Sequence, residues 1–288
     1  MQFVKNPKKS QLIFPNLIII GAMKCGTTSL HHDLNLHPEI FMSREKELHF
    51  FVEGKNGHKS LEWYQSHFQS QAKIRGETSP SYTAYPKWLG VPERMYSVVP
   101  NAKLIYILRD PIERMISHYL HRYAAGVENR GINDALANFD DDYIFRSQYY
   151  MQLEQYLKYF PKSHLLIITL EELNRNRQAT FKKIFKYLNV DENFKIEENT
   201  KKLHQSSKKT RKNSLGFLIS KLPIVNRVSL LPHERRWQIE NILYSPFSEK
   251  IEKPSLDESL RDKLLNHLRD DINQLKDYTG YSFSDWCI

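Results

Sequence analysis

The chain has 288 residues, enough for one large α/β domain or two small ones. Apolar residues make up 40% and aromatic residues 12%, which excludes a disordered chain. A formal net charge of +9 admits a polyanionic partner, while two cysteines, Cys25 and Cys287, give neither a disulfide framework nor a metal-ligand spacing.

In chain order, the opening segment M-Q-F-V-K-N-P-K-K-S-Q carries no signal-peptide apolar core, and the apolar runs fall short of a membrane span. A soluble, cytoplasmic setting with no membrane partner is the expectation. The first strand is predicted over about Leu17 to Ile20, and a helix over Thr27 to Leu36, broken by His37-Pro38. Ser43 to Phe51 reads as a loop or a short helix. A short strand follows at Lys73 to Glu77, and a helix at Pro92 to Val98. Lys103 to Leu108 is a strong strand. Asp110 and Pro111 then suit an N-cap and a first helical turn, so a helix should run to about Ala125. Further helices are predicted at Ser147 to Phe160, Gln178 to Leu188 and Pro254 to Leu275, with a strand at Leu165 to Thr169. Lys201 to Lys212 holds six basic residues and no acid, and reads as a mobile basic loop. Strands alternating with helices indicate an α/β fold: a central parallel sheet with flanking helices, as a single domain over residues 1–288.

The segment Asn16 to Leu30, N-L-I-I-I-G-A-M-K-C-G-T-T-S-L, is an apolar strand, a glycine-containing loop and a helix that opens on hydroxyl residues. That order directs backbone N–H groups at one point and makes a P-loop-like phosphate-binding loop. Gly21 and Gly26 have the spacing of an NTP-hydrolysing loop, but Thr27 stands where the lysine belongs, and Lys24 lies inside the loop. Two more polar clusters follow predicted strands: Glu77-Thr78-Ser79-Pro80, and Arg109-Asp110-Pro111 with Ser117 two turns further on. Ligands of open parallel sheets sit beyond the carboxyl ends of the strands, so all three clusters can converge there. Arg109 and Ser117 could grip one phosphate from two sides, Arg by bidentate contact.

Taken together, these segments resemble the sulfotransferases that depend on 3′-phosphoadenosine 5′-phosphosulfate (PAPS), in particular the heparan sulfate glucosaminyl sulfotransferases and their bacterial relatives. The 5′-phosphosulfate motif K-x-G-T-T-S-L is matched by Lys24, Gly26, Thr27, Thr28, Ser29 and Leu30. The 3′-phosphate motif L-R-D-P-x-E-R-x-x-S-x-Y is matched from Leu108 to Tyr119. K-E-L-H-F-F at Lys46 to Phe51, E-T-S-P-S-Y at Glu77 to Tyr82, R-S-x-Y at Arg146 to Tyr149 and the closing G-Y-S-F-S-D-W also fit.

The resemblance implies sulfuryl transfer from PAPS, with PAP as product, to a hydroxyl or amine of a small-molecule or carbohydrate acceptor, without a metal. Lys24 would neutralise the leaving phosphate, and Glu47 would be the base, its carboxyl raised by burial to serve. His49, two residues on, is the other candidate for base or acceptor orientation; in an extended segment both would share a face. Lys24, Cys25, Gly26, Thr27, Thr28, Ser29, Arg109, Ser117 and Tyr149 would line the nucleotide, with Lys208, Lys209 and Arg211 clamping its phosphates. Thr78 departs from the lysine of the 3-O-sulfotransferase pattern, and Val52 from an acid, which weakens the case for a heparan-like acceptor. The variable segments Val52 to Phe68, Tyr123 to Arg146 and Leu215 to Glu234 should set acceptor choice. Two other readings compete: a P-loop nucleotide kinase or NTPase, which Thr27 disfavours, and a basic nucleic-acid-binding protein, whose stacking aromatics here read as core instead.

Overall fold

Strand β1 (Leu17–Gly21) is buried at every position, and β4 (Lys103–Leu108) at all but its first. Continuous apolar runs of this kind belong to a sheet covered on both faces. In the computed structural model, which describes residues 13–196, 210–212, 246 and 248–287, these two strands are the centre of a five-stranded parallel sheet. Its order is β2-β3-β1-β4-β5, with β2 at Ile40–Met42, β3 at Ile74–Thr78 and β5 at Leu165–Thr169. The chain builds outward from β1 to one side through β3, and to the other through β4. Its strand order therefore reverses between β1 and β4, where ligands of open sheets gather.

The helices are α1 (Thr27–Leu34), α2 (Leu61–Ser66), α3 (Val91–Val98), α4 (Pro111–Ala124), α5 (Ile132–Leu136) and α6 (Asp142–Phe145). They continue with α7 (Tyr149–Leu157), α8 (Leu170–Arg175), α9 (Arg177–Leu188) and α10 (Glu258–Thr279). One apolar cluster surrounds the sheet. A second, built from Ile112, Met115, Ile116, Leu136, Ile144, Leu264, Leu268 and Ile272, joins α4 to α5, α6 and α10. Among the described residues no helix is long and apolar enough to cross a membrane.

The predicted strands and long helices form within a few residues of their expected bounds. The strand β2 was not expected, because three residues are too few to show a period. The short helix α8 was also missed; Thr169 starts it, its Oγ1 accepting from the Glu172 N–H at 3.1 Å. Of the basic stretch, 201–209 lie outside the described residues. Residues 210–212 are not a loop: they form β6 (Thr210–Lys212), antiparallel to β7 (Ser248–Lys250).

No side chain caps α7 from within its own helix, and α10 supplies the cap instead. The carboxylate of Asp271 accepts from the N–H groups of Tyr150 and Met151 at 3.0 and 2.8 Å. Burial pushes this carboxyl up to about 6, against those two donors. Asp271→Ala leaves two part-buried N–H groups without this acceptor and should cost about 1–2 kcal/mol in urea unfolding. Asp271→Asn, which keeps an acceptor, should cost much less. Equal losses for the two variants would show that the cap is not what Asp271 contributes.

Candidate functional site

The loop after β1 is shaped by close approach and by backbone sign. A Cβ on Gly21 would lie 2.0 Å from Thr83 Oγ1, and one on Gly26 2.7 Å from Leu170 Cδ1, with Gly26 at φ +87°. Gly26 is the N-cap residue of α1; it carries no side chain, and the first turn of α1 contains no acid. Helices α2, α4, α6 and α8 each begin with a side-chain cap, while α3, α5, α9 and α10 lack one as α1 does. What sets α1 apart is its place directly after the buried strand β1, where its free amide donors can take an external anion. Thr27 is buried there, while Thr28, Ser29 and Lys24 are part-exposed.

Backbone bonds tie the neighbouring loops to this point. The Ala22 N–H donates to the Ile107 carbonyl at 2.7 Å, the Ser79 N–H to Ile19 at 3.2 Å, and the Glu47 N–H to Thr78 at 2.9 Å. Burial pulls the Lys24 ammonium below its usual range, Glu47 opposes this, and Lys46 and Arg109 add to it. Lys24 is thus within electrostatic reach of the loops after β2 and β4, and the backbone bonds tie the Glu77–Pro80 turn to β1 and to the segment of Glu47.

Five non-glycine residues among those described have positive φ, and three of them are Lys24 (73°), Glu47 (64°) and His49 (51°). Such conformations cost about 1–3 kcal/mol each and persist where the surroundings enforce them. The 43–51 segment is therefore neither helical nor extended. Leu48 and Phe50 are buried, while Glu47 is exposed and His49 part-exposed.

Glu47 Oε1 accepts from Lys46 Nζ at 2.9 Å, and Glu47 Oε2 lies 3.5 Å from His49 Nε2. Partial enclosure raises the Glu47 carboxyl, but His49 and Lys46 outweigh it and hold the group below the usual carboxylate range. The expectation of a carboxyl raised by burial is corrected here, since the adjoining Lys46 and His49 side chains decide the direction.

The raised carboxyl belongs to Glu77. It is fully buried, and burial pushes it up against O–H donors from Tyr64 (2.6 Å), Ser79 (2.8 Å) and Tyr82 (2.9 Å). Because the Ser79 O–H points to Glu77, its oxygen is free to accept the His49 N–H at 3.0 Å. The Glu77 carboxylate thus fixes the backbone of the segment that presents His49.

Arg109 is gripped by Glu113, whose Oε2 accepts from its Nη2 at 2.9 Å, and Lys253 donates to both oxygens of the same carboxylate at 2.7 and 2.9 Å. Ser117 is buried two turns into α4. Two of the expected nucleotide residues act from behind the loop. The fully buried Tyr149 donates to the Arg109 carbonyl at 2.7 Å and lies 3.8 Å from Cys25 Sγ. Cys25 is itself fully buried, and burial pushes its thiol up to about 12, which leaves it inert. As side chains, both brace the loop rather than face a ligand.

Arg211 lies over the ring of Tyr123 at 3.9 Å and donates to Asn129 at 2.6 Å. There it borders a cavity of about 300 Å³ shared with Tyr119, Lys250 and Pro254, on the flank of α4. Lys208 and Lys209 lie outside the described residues. Sequence reasoning missed Lys55 and Ser81, whose side chains both reach His49. Neither belongs to a periodic pattern that would single it out.

Residues 14–222 match the sulfotransferase domain family. The chain belongs to that family. It is 31% identical over 196 residues to the bifunctional heparan sulfate N-deacetylase/N-sulfotransferase 2 of Bos taurus, covering 61% of this chain and 22% of the relative. To the heparan sulfate glucosamine 3-O-sulfotransferase 5 of Mus musculus it is 32% identical over 189 residues, covering 61% of this chain and 54% of the relative. The chain thus spans about a fifth and about half of these two relatives. A solved sulfotransferase from Alicyclobacillus acidocaldarius superposes with a TM-score of 0.68 over 95% of this chain and 99% of its own, at 23% identity, a likeness of fold.

Thr78, where the resemblance anticipated lysine, is fully buried. Its hydroxyl meets His31 Nδ1 at 2.9 Å, while His31 Nε2 meets the Ser43 carbonyl at 3.1 Å. Since the carbonyl only accepts, Nε2 carries a proton, and in the neutral ring Nδ1 accepts from the Thr78 hydroxyl. Burial pulls His31 from 6.5 down to about 4. A folded state that resists protonation loses stability as pH falls from about 6.5 towards 4. Between pH 7 and pH 5 this residue should account for a loss on the order of 2 kcal/mol. Urea unfolding of the protein and of His31→Gln at both pH values measures it, and an identical acid loss in the variant would remove His31 as the cause.

Proposed function

We propose that this protein transfers a sulfuryl group from PAPS to a hydroxyl or amine of a carbohydrate or small-molecule acceptor. The observation that carries this reading is the uncapped start of α1, set with Lys24 and Arg109 at the point where the strand order reverses. The donor set fits a doubly anionic nucleotide. Amides and hydroxyls at Thr27, Thr28 and Ser29 suit a 5′-phosphate, and Arg109 with Ser117 suits a 3′-phosphate. PAPS, when bound, supplies the sulfuryl group and leaves as PAP.

The chain's own residues do the rest. Lys24 presents a partly desolvated ammonium, whose attraction for developing negative charge is strengthened by that desolvation. Of the two candidate bases, Glu47 is paired with the Lys46 ammonium at 2.9 Å, which weakens it as a proton acceptor. His49 has a ring nitrogen at the same mouth, and we assign the acceptor's proton to it, with Glu47 stabilising the charge that follows. The relatives' names point to heparan sulfate. In this chain the burial of Thr78 removes a cation from that wall, so acceptor chemistry is open to smaller molecules.

Calorimetric titration without magnesium, using PAP with ATP as control, tests the reading. PAP should bind at micromolar affinity or tighter, with ATP much weaker. Arg109→Ala should weaken PAP at least tenfold, about 1.4 kcal/mol. Lys24→Ala should lower turnover by about 10²–10³. Equal affinity for PAP and ATP would overturn the assignment and return a nucleotide kinase to consideration.

A further inference from the structure

The imidazole of His49 touches three side chains. Its Nδ1 lies 2.6 Å from Ser81 Oγ, its Nε2 lies 3.0 Å from Lys55 Nζ, and the same Nε2 lies 3.5 Å from Glu47 Oε2. Lys46 sits beyond, on the other oxygen of Glu47, and Lys24 feels the same carboxylate. These partners make opposite demands on the ring. A carboxylate can only accept, so Glu47 asks for a proton on Nε2. An ammonium can only donate, so Lys55 asks for a bare lone pair there. Lys55 is at hydrogen-bond distance, and Glu47 is beyond it. With Nε2 accepting, the one remaining ring proton falls on Nδ1, where Ser81 Oγ waits at 2.6 Å to receive it.

We propose that Lys55 and Ser81 are positioning residues that fix His49 as its Nδ1–H tautomer, with the Nε2 lone pair turned to the mouth of the site. This rests on the sulfotransferase reading for its purpose, although the tautomer itself is independent of that reading. The lone pair that Lys55 occupies is the one an acceptor O–H or N–H needs. An arriving acceptor displaces the ammonium and donates to Nε2. Its proton passes to that nitrogen, and Ser81 keeps hold of the Nδ1–H of the imidazolium that results. Without Lys55 the ring would turn its proton toward Glu47, and the acceptor would meet an N–H instead of a lone pair.

Lys55 also rides on a loop with its own supports. Asn56 Nδ2 donates to the Leu48 carbonyl at 2.8 Å, and a Cβ on Gly54 would lie 2.7 Å from the Trp88 ring. Its place at His49 is therefore held from both sides. Partial enclosure draws the Lys55 ammonium below its ordinary range while Glu47 draws it back.

The test is long-range ¹H–¹⁵N correlation on the full chain labelled at histidine, with His49 identified by its loss in His49→Asn. The protein should show the Nδ1–H pattern. Lys55→Met and Ser81→Ala should each shift His49 toward the Nε2–H pattern, and Lys55→Arg should restore the original. Lys55 is exposed, and its variants should keep the thermal midpoint and the PAP affinity of the parent. An Nε2–H pattern in the parent, or the parent's pattern unchanged in both Lys55→Met and Ser81→Ala, overturns the proposal. Failure of PAP to bind the parent overturns the functional reading instead, and leaves the tautomer result standing.

Discussion

The first turn of α1 has backbone N–H groups that no side chain of its N-cap satisfies, because Gly26 must take a left-handed conformation against Leu170. Helix starts are ordinarily closed by serine, threonine, aspartate or asparagine, and four other helices of this protein follow that habit. Leaving this one open at the end of a buried strand concentrates positive potential at the loop that carries Lys24. Lys24 and Arg109 reinforce that potential, and burial makes Lys24 easier to deprotonate than an exposed lysine.

Around this anion-seeking centre the candidate chemistry is arranged by rigid supports. The residues with the strongest functional claims, Lys24, Glu47 and His49, have backbone conformations that L side chains rarely adopt. The buried Glu77 carboxylate, satisfied by three hydroxyls, holds the His49 amide through Ser79. A conformation enforced before a ligand arrives requires no reorganisation when it does, and electrostatic stabilisation depends on that readiness. The same density of charge explains why Glu47 and Glu77, two carboxylates on adjoining loops, shift in opposite directions. One sits among cationic and N–H donors and the other among hydroxyls in a dry core.

Much of this was legible in the residues. The short apolar runs Leu17–Ile20 and Leu104–Leu108 read as buried strands, and the loop from Gly21 to Gly26 announces an anion site. Asp110-Pro111 marked the start of α4 to the residue. Other features were hidden for physical reasons. Ile40–Met42 makes a strand only because β3 offers it an edge. Burial was a sound guess for raising Glu47, but the direction is set by where the His49 ring and Lys46 amine come to rest. Lys55 and Ser81 lie six and thirty-two residues from His49 in segments without periodicity, so side-chain convergence alone reveals them. Cys25 and Tyr149 sit in matching motifs, yet face inward; a motif gives identity, and the backbone decides direction.

The N-cap carboxylate of α4 also binds a partner far along the chain. Asp110 Oδ1 accepts the Glu113 N–H, and Oδ2 accepts the N–H of Cys287, 177 residues later. Glu171 spans the gap, accepting from the Asp110 N–H and from the Trp286 indole. On a ribosome, the strand end bearing Arg109 is therefore made early and completed late. Until Cys287 is made, one oxygen of Asp110 must be served by water, and the turn that orients Arg109 lacks its outer brace. Closing so long a loop is entropically slow. The turn that bears Arg109 thus reaches its braced form only once residues 286 and 287 have been made, although its own residues are joined far earlier.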